Sequence, residues 1–133
     1  MPADKSNRTR ELGVGALMVV VLFAVTTLHA QSANAPEGSW SGHTNGKARV
    51  VVNLTVRSGL CAYSDPYVNL PGNRCSWQPT ASNGGILTIF YETYAPTQVF
   101  HNKLYLGITW VTRDQILARA GPGDDGAATL NRQ

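Results

Sequence analysis

The segment Lys47–Arg57 constrains the fold most, because its residues alternate. Ala48, Val50, Val52, Leu54 and Val56 share one face; Lys47, Arg49, Asn53, Thr55 and Arg57 share the other, with Val51 the exception. A period of two sends successive side chains to opposite faces of an extended chain, so this is a strand with one face in a core. Its β-branched valines agree. The chain around it is rich in turn residues. Asn45-Gly46 suits a type I′ hairpin turn and would pair the strand with one at Ser39–His43. Ser58-Gly59 marks the next reversal, into Leu60–Ser64.

Further on, Asp65-Pro66 and Pro71-Gly72-Asn73 bound what reads as an irregular loop. Arg74–Gln78 follows as a short strand and Pro79–Gly85 as a turn. Ile86–Tyr94 is the second strong strand, with Leu87, Ile89 and Tyr91 on one face and Ile86, Thr88, Phe90 and Tyr94 on the other. Large groups on both faces predict a central position. Ala95-Pro96 breaks it. Thr97–Phe100 and Lys103–Val111 read as a hairpin across His101-Asn102, with Leu104, Leu106, Ile108 and Trp110 inward. Gln115–Ala120 reads as a last strand rather than a short helix. From Gly121, the Gly-, Pro- and Asp-rich GPGDDGAATLNRQ is expected to be disordered.

Seven or eight short strands joined by tight turns predict an all-β antiparallel meander. Closing it into a barrel removes the edges that a flat sheet would expose. The expected organisation is a leader over 1–35, a β-barrel over 36–120 and a disordered tail over 121–133.

The leader reading rests on Leu12–Leu28, an uncharged and mostly apolar run of 17 residues. It follows Lys5, Arg8 and Arg10 and precedes the small-residue segment Ala30–Ala35. That order is that of an export signal. The length lies between a cleaved core and a spanning anchor, so both readings stand. Cleavage after Ala35 would leave Pro36 next to the cut, a poor substrate; cleavage after Ala30 puts Leu28 where a small residue is wanted. The expected location is periplasmic or extracellular, or membrane-anchored by residues 12–28.

An oxidising compartment and an even cysteine count predict a disulfide between Cys61 and Cys75. A redox pair or half a metal site are the alternatives, but only His43 and His101 remain in the exported part to complete a metal site. From Pro36 onward, eight basic and six acidic residues leave a charge of +2, and the basic ones are scattered. This gives no footprint for a nucleic acid. Membrane contact is expected only through an uncleaved leader.

Catalysis finds little support. Gly38-Ser39-Trp40-Ser41-Gly42 has Trp40 where a nucleophile elbow needs serine. Neither His43 nor His101 has a carboxylate nearby in sequence, and Glu92 is expected to face water. No phosphate loop, cofactor motif or metal set is present, so no cofactor is expected. Aromatic and polar residues gather around the disulfide segment. Tyr63, Asp65, Tyr67, Arg74 and Trp77 are the candidate binding residues, suited to a sugar or a protein surface.

The start Gly38-x-Trp40 resembles the opening of calycin-type barrels, the lipocalins and avidins. The resemblance implies that Trp40 closes one barrel end and that a basic residue on the last strand packs over it, a role Arg119 would fill. It implies architecture and no particular ligand. The expected function is that of an exported, non-catalytic protein binding an unknown protein or small molecule through a barrel mouth or the stapled loop. The alternatives are an inhibitor of a secreted hydrolase, with Leu60–Gln78 as its inserted loop, and an enzyme with an unrecognised site.

Overall fold

A computed structural model describes residues 33–133. The leader readings at 1–32 lie outside the described residues. Eight strands follow one another: β1 (Gly38–Thr44), β2 (Val51–Arg57), β3 (Leu60–Ser64), β4 (Asn69–Ala81), β5 (Gly84–Ala95), β6 (Gln98–Thr112), β7 (Gln115–Arg119) and β8 (Ala127–Arg132). Each pairs antiparallel with the next, and β8 pairs with β1, so the meander closes into a barrel.

The alternation in β2 does what its pattern predicts. Val52, Leu54 and Val56 are buried and Val51 is exposed. Inward residues of the other strands meet them, including Trp40, Leu87, Ile89, Leu106, Ile108, Ile116 and Leu130. Burying each such side chain is worth about 1.5–3 kcal/mol, and together they fill the interior.

Four boundaries differ from the sequence expectation, each for a local reason. First, β2 begins at Val51 rather than Lys47. The Thr44 amide donates to Val50 O at 2.9 Å, and the Val50 amide donates to Thr44 Oγ1 at 3.0 Å. These bonds close a longer loop in which Arg49 takes φ 46°, so Asn45-Gly46 is not a two-residue turn. Second, the irregular loop is a hairpin. Only Asp65–Val68 turns, because Asp65 Oδ1 accepts from the amides of Tyr67 and Val68 at 2.7 and 2.8 Å. Pro71-Gly72-Asn73 lies within β4, where the register with β3 shifts between Cys61 and Tyr63. A bulge accommodates the extra residue and the proline. The same strand runs on through Pro79 to Ala81, so the next turn is short.

Third, β6 is unbroken at His101-Asn102, because the chain reverses instead at Pro96-Thr97, with Ala95 opposite Gln98. Fourth, the expected tail is not disordered. After a 3-10 turn at Asp124–Gly126, residues 127–132 form β8. Ala127, Ala128 and Leu130 are buried in the seam that joins β7 to β1. The barrel therefore extends past residue 120, and without β8 both of those strands would be open edges.

The Cys61–Cys75 disulfide forms, with a Cα–Cα distance of 5.8 Å. It links neighbouring strands inside the core, where both cysteines are buried. The stapled segment is barrel wall and not a protruding loop.

Candidate functional site

A meander sorts its connections between two ends. The β2–β3, β4–β5 and β6–β7 turns share one end with residues 33–37 and the end of β8. The β1–β2, β3–β4, β5–β6 and β7–β8 connections share the other.

The first end is closed by Trp40, which is 1% exposed. Its Nε1 donates to Pro36 O at 2.9 Å, and its ring meets Trp110 edge-on with centroids 5.6 Å apart. The cation over its face belongs to Arg132, whose Cζ lies 4.3 Å from the ring centroid. Arg119 does not take the role expected of it. Arg119 points elsewhere and donates to the carbonyls of Gly121 and Gly123 at 3.3 and 2.9 Å. The last strand is β8, not β7, so the basic residue comes from β8. Arg132 is held from all sides: Nη1 on Glu37 O at 2.8 Å, Nη2 on Arg113 O at 2.9 Å and Nε on Asp114 Oδ1 at 3.1 Å. Gly38 makes room for it. Its φ is 120°, and a Cβ there would press on the Arg132 guanidinium.

The second end is open but shallow. Its recess is ≈ 100 Å³, lined by Val52, Tyr63, Leu106, Ala118 and Ala128 among others. Sites for drug-sized ligands are usually about 300–1,000 Å³. Tyr63 is buried there and donates its hydroxyl to Asp65 Oδ2 at 2.8 Å. Burial, and then the Asp65 carboxylate, push the Tyr63 hydroxyl well above its usual range.

The candidate binding residues do not form one cluster. Tyr63, Asp65 and Tyr67 share the open end, with Tyr67 at the surface (88% exposed). Arg74 points outward from β4. Trp77 sits at the closed end, its indole donating to Ala33 O at 3.1 Å.

A further exposed feature was not expected. β5 and β6 pair with each other along their whole length, from Gly84↔Thr109 to Ala95↔Gln98. Their flanking partners stop early: β4 reaches Ile89 and β7 reaches Gly107. The remaining stretch, about Phe90 to Lys103, is a two-stranded arm projecting from the open end. On one face Phe90 lies between two cations, Arg74 Cζ at 4.8 Å and Lys103 Nζ at 5.7 Å. Next along that face, His101 Nδ1 meets Glu92 Oε1 at 3.3 Å, and the Tyr94 hydroxyl donates to Glu92 Oε2 at 2.8 Å. That carboxylate also raises the Tyr94 pKa. On the other face, Asn102 Nδ2 bridges to Thr93 Oγ1 at 3.0 Å. Tyr94, Val99 and Phe100 are exposed near the tip. An open groove of ≈ 980 Å³ runs between this arm and Pro71–Arg74.

Among the described residues, no group of three or more His, Cys, Asp or Glu is placed to hold a metal ion. The His101–Glu92 pair arises from cross-strand register and was invisible in sequence, where the two lie nine positions apart. No family model matches the chain, and neither a curated protein nor a solved structure matches it.

Proposed function

We propose that this chain is an exported, non-catalytic binding protein on a calycin-type barrel, and that its partner is another protein engaged by the β5–β6 arm. The observation that carries this reading is the arm itself. It exposes Tyr94, Val99 and Phe100 at its tip and places Arg74, Phe90 and Lys103 at its base. Aromatic residues and arginine are the types enriched at protein interfaces. The filled interior and small recess favour the arm over the barrel mouth. Gly38-x-Trp40 under Arg132 supports the calycin reading, and the disulfide is the bond expected of an oxidising compartment.

A photo-crosslinking residue at Val99 should capture the partner from an extracellular or periplasmic extract. The same residue at Arg57, on the opposite wall, should not. Equal capture at both positions would overturn the assignment. A hydrolase inhibitor is the second reading, favoured by the tip geometry: a proline-containing two-residue turn bracketed by cross-strand side-chain bonds suits insertion into a cleft. Titration of the chain against secreted glycosidases and proteases separates this from other protein partners.

A further inference from the structure

The three tryptophans of the chain donate their indole N–H groups to one short segment. Trp77 on β4 donates to Ala33 O at 3.1 Å, Trp110 on β6 to Asn34 O at 3.0 Å and Trp40 on β1 to Pro36 O at 2.9 Å. Ala33 and Pro36 are buried, Pro36 almost completely. Glu37 completes the set. Its carboxylate accepts the Ser58 amide at 3.1 and 3.2 Å, and its carbonyl accepts Arg132. Residues 33–37 thus form a strap across the closed end, tied to strands from different sides of the barrel.

This strap contains one of the two cleavage points that the leader offers. A cut after Ala35 would remove Ala33 and Asn34. The part-buried Trp77 N–H would lose its acceptor, and the exposed Trp110 N–H would exchange its own for water. The new N-terminus would be Pro36, placing a charged amine at a buried residue. Burying an unpaired charge or polar group is costly. We propose that maturation spares Ala33–Glu37: signal peptidase cuts N-terminal to Ala33, and the mature barrel keeps the strap. This rests on the export reading above. Pro36 serves both stages, since it disfavours a cut after Ala35 in the unfolded chain and plugs the barrel in the folded one.

Intact mass and N-terminal sequencing of the exported protein test this directly. A first residue after the apolar run and no later than Ala33 is expected; a chain that still begins at Met1, or one that begins after Ala33, overturns the proposal. A second measurement does not depend on export, because the barrel of residues 33–133 carries its own core. Chains beginning at Ser32 and at Pro36 are compared by thermal melting with the disulfide formed. The shorter chain should melt lower by about 5 °C or more, given a scale of roughly 4–8 °C per kcal/mol for a domain this size. Trp77→Phe should lower the melt of the longer chain more than that of the shorter one, because the ring's packing on the core is lost in both while only the longer chain has the Ala33 acceptor. Equal melts for the two chains overturn the proposal. If no exported form exists, the export reading fails and the two melts alone decide whether the strap belongs to the barrel.

Discussion

The Arg132 guanidinium lies 4.3 Å over the Trp40 ring, joining the last strand to the first. Trp40 sits on β1 and Arg132 directly opposite it on β8, so this contact seals the seam where the barrel closes. Three further hydrogen bonds fix the guanidinium to Glu37, Arg113 and Asp114. The fork geometry matters, because arginine alone can serve three directions and still stack on an indole.

Arg132→Ala should therefore destabilise by about 2–3 kcal/mol, the sum of a cation–π contact and hydrogen bonds from a charged donor. Arg132→Lys should recover only a minor part. Arg119→Ala, which loses two exposed hydrogen bonds at the other end, should cost about 1 kcal/mol or less. Chemical denaturation of the three variants orders them. A larger loss at Arg119 than at Arg132 would contradict the seam argument.

Trp40→Ala should cost about 3–5 kcal/mol through the cavity it leaves. That approaches the margin of stability of a small domain, so the variant should be largely unfolded at room temperature. A melt within a degree or two of wild type would mean that Trp40 is not a plug.

The strands with a clean period of two were legible in the sequence. β2 was legible from one-sided alternation, β5 from its run of large residues, of which the barrel buries Leu87 and Ile89 and leaves Ile86 exposed, and β3 from Ser58-Gly59, whose φ values of 49° and 85° are those of the predicted reversal. What was hidden depends on register. Residues 121–126 look like a linker, and their Gly, Pro and Asp content concealed the short apolar face of Ala127, Ala128 and Leu130 behind them. A concealed β8 hides Arg132 as well and leaves Arg119 as the last basic residue of the legible strands. The arm was hidden by a different ambiguity. Pro96 can end a strand or sit at the corner of a hairpin, and only pairing decides. Alternation on both sides of it, through Tyr94 and from Gln98, was the signal available.

Reduction of Cys61–Cys75 should lower the melting temperature while leaving the strand content intact. The bridge joins residues 14 positions apart, and a loop of about 15 residues corresponds to about 3 kcal/mol in the chain-entropy model. For a domain of this size that is a shift of about 12–24 °C. Because both sulfurs lie in the core, Cys→Ser at both positions should cost more than reduction, since it puts hydroxyls where no partner waits. Melts in oxidised and reduced buffer, with far-ultraviolet circular dichroism, check both points.

Stability should fall at alkaline pH because of Tyr63. Its folded pKa is raised by burial and then by the Asp65 carboxylate. A raised folded pKa gives a contribution that is complete below the unfolded value of about 10 and is lost as pH climbs toward the folded one. Urea midpoints of the wild type should therefore decline above pH ~10. Tyr63→Phe should start lower at neutral pH, having lost the bond to Asp65, and decline less steeply. Parallel curves for the two proteins would show that Tyr63 ionises in the folded state as freely as in the unfolded one.

The arm should matter for binding and little for folding. Tyr94 is 74% exposed and Phe100 45%, and both lie beyond the reach of β4 and β7. Surface substitutions away from the core usually change stability by no more than about 0.5 kcal/mol, so Tyr94→Ser and Phe100→Ser should melt near wild type. Interface aromatic residues, by contrast, can cost about 2 kcal/mol or more in affinity when truncated, which is roughly a thirty-fold loss. The double variant should therefore fail to retain a partner that wild type captures, while Tyr67→Ala, on the separate Asp65–Val68 turn, should retain it. The opposite pattern, with capture kept by the arm variant and lost at Tyr67, would move the binding surface to the β3–β4 turn. If the arm instead served only to complete the fold, the double variant would lose its partner and its melting transition together.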